Sequence, residues 1–397
     1  MINIYSDLMS AWPASVVLAP KLSLLTTSFA QVWDYERISP ASAVGGTVKS
    51  IQGAIGEYFE RRHFFNEIKT VSRKTLHEMM PSSSADAFLN AFVQTSSVGT
   101  DRISEHQFST VHAFNAFTLE QVEIPAVMVA LDNITASEDL GFYPRRDTCG
   151  CSCHIDLTEA INGALGELME RQSLLLYWLT GKANYELIPD GETGVNYVDE
   201  LIKNLKAQGE LRILDVTMPG APGYAILTIY GTQNEHSTIK YSTGLSYAAD
   251  LRTALNKSMI ELWQSYICMY NFITGGYRFE DIIDRYQQHF MSCNTYSTYT
   301  ELYQNTEYRF VPSRLSEQNS EHSVMNSVTD FLQEITPNMF IYYARDLLSD
   351  SMLWYTKALS PDLFLHMDNS GPLNIHNTIY SRGSGIQERE SIMVPFP

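Results

Sequence analysis

The chain reads as a mixed α/β protein built as one large domain. Three observations predict that class. Of its 397 residues, 44% are hydrophobic and only 18% are charged, which is ample material for a core. Apolar strand-like runs, among them Ala126–Leu131 and Gly223–Tyr230, alternate with segments of helical period. Finally, the helical stretch Gly53-Ala54-Ile55-Gly56-Glu57-Tyr58-Phe59-Glu60-Arg61 returns almost unchanged as Gly163-Ala164-Leu165-Gly166-Glu167-Leu168-Met169-Glu170-Arg171. Size alone allows two or three domains. A shared site drawn from helices this far apart argues against separable units, so the predicted division is a segment 1–45 and a single body, 46–397.

At the N-terminus, Met1–Asp7 lacks the basic start of a secretory signal. No apolar run approaches the roughly twenty residues of a membrane span, and a cytoplasmic location is expected. The first acidic helix carries Glu57 and Glu60 three residues apart, and the second carries Glu167 and Glu170 likewise. Such neighbours have Cβ atoms about 5–6 Å apart. At an effective dielectric near 20, two bare carboxylates about 4 Å apart repel by roughly 4 kcal/mol. A packed pair therefore needs a cation or an arginine, and magnesium, which takes hard oxygen ligands, suits the role. The plainer alternative is a solvated helix face with Glu and Arg pairing locally. Against it, Ala54, Ile55, Tyr58 and Phe59 in one copy, and Ala164, Leu165, Leu168 and Met169 in the other, leave little polar circumference. The glutamates are thus placed at a buried or cleft-lining edge.

Ahead of the second helix, Asp156-Leu157-Thr158-Glu159 reads as a capping box. The preceding run Cys149-Gly150-Cys151-Ser152-Cys153-His154 invites a zinc assignment, but no second cysteine or histidine pair of zinc spacing accompanies it. A strand or loop with small, semi-buried thiols is expected instead. The five cysteines make no disulfide framework and fit a reducing compartment. Turn-rich connectors follow at Pro189–Gly194 and Met218–Gly223. Asp250 is the expected N-cap of a third helix, Leu251 to about Tyr270, which carries Lys257, Glu261 and Gln264. Ser313–Ser327 and Ser381–Gly385 read as exposed loops. At the end of the chain, Pro395 and Pro397 hold a stiff, extended backbone able to deliver a terminal carboxylate to a fixed point, the alternative being an ordinary frayed terminus.

Other chemistries are disfavoured. A net charge of −18 argues against nucleic acid, whose phosphates need clustered Lys and Arg. Di-metal carboxylate oxidases use Glu-x-x-His, and the three helices have no histidine at that offset. A phosphate-binding G-x-x-x-x-G-K-[ST] loop is absent.

The succession GE-x-x-ER, E-x-x-ER and E-x-x-Q on three helices, with a proline-spaced tail, resembles the YcaO family of ATP-dependent enzymes that modify peptide backbones. The resemblance runs from about Gly45 to Pro397 and takes in Asp147-Thr148-Cys149-Gly150, Asp215-Val216-Thr217 and Val394-Pro395-Phe396-Pro397. It implies ATP and Mg2+ as cofactors. Glu57, Glu60, Glu167 and Glu170 would hold the magnesium ions on the nucleotide phosphates, which Arg171 would face. Lys257, Glu261 and Gln264 would complete the nucleotide site, approached also by Ser152 and Glu159. The carboxylate of Pro397 would be a base or orienting group. Three departures stand out: Gly53 where many relatives have serine, Cys149 where many have asparagine, and a Gly-Lys-Gly approach compressed into Gly45–Ser50.

By this resemblance the chain is expected to be an ATP-dependent cyclodehydratase, closest to that component of microcin-type azole synthetases. Its substrate would be Cys, Ser and Thr residues of a ribosomally made precursor peptide. A separate E1-like subunit would bind the leader, and an FMN-dependent dehydrogenase would oxidise the azolines. Two alternatives remain: another backbone chemistry, thioamide or macroamidine formation, and a non-catalytic scaffold of the same fold. The tail favours azolines, and the four intact glutamates argue against a scaffold.

Overall fold

The computed structural model describes residues 14–19, 28–34, 41–45, 47–189, 192–282, 285–303, 307–313, 321–348, 351–369, 373–374 and 393–397. Met1–Asp7, Gly46, Asp190, Gly191 and Ser381–Gly385 lie outside them.

Three sheets carry the fold. The first is an antiparallel meander of β1 (Ala14–Ala19), β2 (Ser28–Asp34) and β3 (Ala41–Gly45). It leads into α1 (Thr47–Arg62), which continues through a π-helical turn at His63–Glu67. Next come β4 (Arg73–Lys74), the helices α2 (Leu76–Met79), α3 (Ser82–Thr95) and α4 (Thr100–Glu105), and the hairpin β5 (Phe108–Asn115) with β6 (Gln121–Pro125). The strand expected at Ala126–Leu131 is a 3-10 turn over Ala126–Met128, directly after Pro125 has ended β6. Its apolar run is nonetheless buried from Ala126 to Leu131.

Strand β7 (Cys151–His154) precedes α5 (Leu157–Thr180). Asp156 caps α5 by accepting the Glu159 N–H at 3.1 Å, and Gly181 closes it in the left-handed conformation at φ 69°. Then follow β8 (Lys182–Pro189), α6 (Asn196–Gln208), β9 (Glu210–Asp215), β10 (Tyr224–Gly231) and β11 (Tyr241–Ala248). Helix α7 (Leu251–Thr274) opens at Asp250, whose carboxylate accepts the Thr253 N–H at 2.9 Å. The remaining elements are α8 (Arg285–Ser292), α9 (Tyr296–Tyr303), β12 (Glu307–Ser313), α10 (Glu321–Ile335), β13 (Phe340–Leu348) and β14 (Ser351–Leu359). The second half of the loop expected at Ser313–Ser327 is therefore the start of α10, with Val324, Val328 and Leu332 turned into the core at helical spacing.

The second sheet has the order β11-β10-β9-β8-β12, antiparallel except for the parallel β8–β12 pair. The third runs β4-β5-β13-β14-β7, with β6 on β5. Helix α5 packs on β14 and β7 of the third sheet and on β11 of the second. Helix α1 covers β2, β3 and β7, while α7 lies on β11, β10 and β3. The architecture is the mixed helix-and-sheet body expected, with the acidic helices backed by sheets. No described helix is long and apolar enough to cross a membrane.

Candidate functional site

Two glycines show how closely the acidic helices seat. A Cβ on Gly53 would lie 2.9 Å from the Ala43 Cβ, so the first helix needs glycine where it crosses β3. A Cβ on Gly163 would lie 2.4 Å from the Ser152 Oγ, which places Ser152, on β7, directly under α5 one turn before Glu167. The departure from serine at position 53 thus has a steric reason.

The glutamates of α1, α5 and α7 form one electrostatic group. Burial pushes Glu60 up to about 7, with Glu57 adding repulsion and Arg61 and Lys357 opposing it. Glu167 is raised well above the carboxylate range by burial, against the pull of Arg171, and then by the charges of Glu60, Glu170 and Asp147. Burial also raises Glu170, opposed by Arg171, by the Tyr247 N–H and by Lys257. Glu261 reaches about 8 through burial and the repulsion of Glu170, with a further contribution from Glu57. Glu167 of α5 thus feels Glu60 of α1, and Glu261 of α7 feels Glu170 and Glu57.

Fixed donors hold this group in place. The Ser42 N–H donates to Glu57 Oε2 at 2.7 Å, and Arg61 pairs with Glu57 Oε1 at 2.6 Å. The Leu245 N–H donates to Glu261 Oε2 at 2.8 Å and the Tyr247 N–H to Glu170 Oε2 at 3.2 Å. Strand β11 is the edge of its sheet, so these amides face outward from the ladder and the glutamates satisfy them. Arg171 lies 3.7 Å from Glu167 Oε1 and 4.0 Å from Glu170 Oε1. Its Nη1 is buried and has no hydrogen-bond partner among the described residues.

The other expected site residues fall into two groups. Gln264 donates to the Ser42 carbonyl at 2.8 Å, so its amide braces β3 against α7. Lys257 is exposed on α7, within electrostatic reach of Glu170. Glu159 is exposed at the start of α5. The capping box is half formed, because the Asp156 N–H donates to His154 Nδ1 at 3.1 Å and leaves Glu159 no amide to return to. Pro397 is exposed at the end of a buried tail: Val394 is 1% and Phe396 2% exposed. Tyr241 Oη donates to the Pro395 carbonyl at 2.5 Å, and the Arg171 guanidinium sits 4.9 Å over the Phe396 ring.

Lys357 was hidden from sequence reasoning, although a lone lysine in the apolar run Leu353–Leu359 is a signal. It is 5% exposed and donates to the Asp147 carbonyl at 2.9 Å. Burial works against the Asp147 carboxylate, yet His366 and Lys357 together with hydrogen bonds hold it below the usual carboxylate range. Asp147, Cys149, Gln172 and Lys357 line a cavity beside the acidic shell. Cys149 stays a neutral thiol, its pKa pushed well up by burial and then by Asp147. All five cysteines are free, so no disulfide uses them. Among the described residues, the group whose donor atoms close to within 4.8 Å is His63, Glu67 and Asp346. There Glu67 is already engaged by Arg62 Nε at 2.9 Å.

The donor set of the acidic shell fits magnesium and a nucleotide. It offers hard oxygens spread over three helices, and magnesium commonly takes one or two carboxylates and fills its octahedron with water and phosphate oxygens. Carboxylates this strongly raised are short of positive charge, and the unpartnered Arg171 Nη1 is a donor with nothing yet to bind. Such a shell suits an enzyme that handles a metal-bound triphosphate.

Residues 48–363 match the model of the family described as YcaO cyclodehydratase, ATP- and Mg2+-binding, and the chain belongs to that family. It is an ATP-dependent cyclodehydratase, with ATP and Mg2+ as its cofactors. It is 60% identical over 397 residues to the microcin B17-processing protein McbD of Escherichia coli, covering 100% of both chains. The fold superposes with a TM-score of 0.90 on a chain of the E. coli microcin synthetase McbBCD complex with pro-MccB17 bound, at 60% identity and full coverage of both. The YcaO protein of Methanopyrus kandleri, bound with AMPPCP and Mg2+, shares the fold at 14% identity and a TM-score of 0.61, over 98% of this chain and 93% of that one.

Proposed function

We propose that the chain is the cyclodehydratase subunit of a microcin-type azole synthetase. In this role it converts Cys, Ser and Thr residues of a precursor peptide into thiazolines and oxazolines. The observation that carries the reading is the mutual approach of Glu57, Glu60, Glu167, Glu170 and Glu261, with Arg171 set among the last three and its guanidinium over the penultimate residue of the tail. Resemblance to McbD over the whole chain supports the microcin-type assignment.

The reaction proceeds in balanced steps. A substrate thiol or hydroxyl adds to the preceding carbonyl carbon and gives up its proton. The resulting oxyanion takes the γ-phosphoryl group of ATP, releasing ADP. Loss of the amide proton and departure of phosphate then form the C=N bond of the ring. An amide oxygen is a poor leaving group, and phosphorylation corrects that. Bound magnesium would neutralise charge on the phosphoryl group in transfer. Glu57, Glu60, Glu167 and Glu170 would hold the ions, with Arg171 facing the phosphates. Glu261 and Gln264 would set the third wall, and Lys257, Ser152 and Glu159 would approach the nucleotide. The Pro397 carboxylate is the proposed base for one of the two protons.

The body 46–397 is the proposed catalytic domain, and the segment before it contributes the Ser42 contacts of β3. Partners by the same reading are a leader-binding E1-like subunit and an FMN-dependent dehydrogenase, acting with it in the cytoplasm. The test replaces McbD by this chain in the E. coli complex and follows pro-MccB17 by mass spectrometry. Each ring costs the peptide about 18 Da of water, and about 2 Da more on oxidation, as required by phosphate-assisted elimination. An unchanged peptide mass, or loss of water without ATP, overturns the reading.

A further inference from the structure

The last five residues are held far more firmly than a free terminus. Met393 bridges to Asp368 in antiparallel fashion, and His289 Nε2 contacts the Met393 carbonyl at 3.2 Å. Phe396 N–H returns to the Val394 carbonyl at 2.8 Å, a tight turn centred on Pro395. Tyr241 closes on that same proline, donating from a fully buried position to its carbonyl. Beyond it the Phe396 ring is clamped under Arg171.

The two holding groups share their frames with the acidic shell. Tyr241 stands on β11, the strand whose Leu245 and Tyr247 amides fix Glu261 and Glu170. Arg171 follows Glu170 on α5 and spans from Glu167 to the tail ring. A guanidinium over an aromatic face is attracted to it, the more so when desolvated, and its planar edge stays available to acids. The tail therefore takes its register from the same strand and helix that place the glutamates.

We propose that Tyr241 and Phe396 are positioning residues that set the Pro397 carboxylate relative to the acidic shell. Tyr241 acts through the Pro395 carbonyl and Phe396 through Arg171. The inference rests on the reading above that the terminal carboxylate takes part in the reaction. A hydroxyl removed at residue 241 leaves the Pro395 carbonyl buried without its donor, and a small shift at the reacting group is costly in rate.

The experiment measures steady-state ATP hydrolysis and ring formation by the chain assembled with McbB and McbC, with pro-MccB17 as the probe. Tyr241→Phe and Phe396→Leu are expected to lower kcat about tenfold, with KM for ATP and for the peptide within about twofold and with unchanged complex assembly. Phe396→Trp, which restores an aromatic face to Arg171, is expected to recover most of the loss. Raised KM values with full kcat, loss of assembly, or equal activity of the Leu and Trp variants would each overturn the positioning role. Deletion of Pro397 separates the two claims. Full kcat after deletion sinks the participation of the carboxylate, whereas a loss on deletion with full activity of Tyr241→Phe and Phe396→Leu sinks only the anchor.

Discussion

Ser42 and Glu57 meet through the backbone: the Ser42 N–H donates to Glu57 Oε2 at 2.7 Å, tying β3 to α1. The carbonyl of the same residue accepts from Gln264 at 2.8 Å, so one peptide position is gripped by two of the acidic helices. This explains the amide at 264, where a second acid would face a carbonyl oxygen. Gln264→Glu is expected to cost about 2 kcal/mol, the range for a buried acceptor left facing another acceptor. Denaturant unfolding checks this, and a change under about 0.5 kcal/mol would refute the brace.

Removing one carboxylate should separate stability from activity. Glu57→Gln and Glu167→Gln are expected to abolish the loss of water from the peptide while leaving the fold intact. At Glu167 the thermal midpoint should hold or rise, because one member of a repelling group has been neutralised. Parallel mass spectrometry and thermal melts decide the matter. Retained ring formation in either variant contradicts a ligand role.

Without nucleotide or magnesium, the protein should lose stability as pH rises from about 5 to about 8. Glu60 and Glu261 have folded values near 7 and 8, above the ordinary value of 4.5, so across that interval the folded state binds more protons than the unfolded one. Stability then has a negative slope in pH. Magnesium with a non-hydrolysable ATP analogue needs the ionised carboxylates and should flatten the decline. Melting curves across the range, with and without both ligands, test it, and a rising apo midpoint would contradict it.

Lys357→Met should weaken the nucleotide site without emptying it. The ammonium group offsets the charge of Glu60 and donates to Asp147. Its loss is expected to raise the KM for magnesium-ATP about tenfold, near 1.4 kcal/mol. An unaltered KM would place Lys357 outside the electrostatics of the shell.

Much of the site was legible locally. The i,i+3 glutamates, the N-caps Asp156 and Asp250, and the duplicated glycine pattern are all short-range signals, and the helices they announce are present. What pairs across the chain was not legible. Ser42 with Glu57 and Gln264, Lys357 with Asp147, and Tyr241 with Pro395 are long-range contacts created by sheet register, to which no local period refers. Pro125 stopped β6 before the apolar run that looked like a strand. In α10 the polar start masked a helical core spacing that begins at Val324.

The outward amides of β11 carry a consequence for the stability of the protein. Every residue of that strand is buried, so a donor on its border has no water to turn to. Here Glu261 and Glu170 accept from two of those donors. Replacing either glutamate by a small apolar residue would orphan a buried amide, at about 1–3 kcal/mol each, whatever it does to activity.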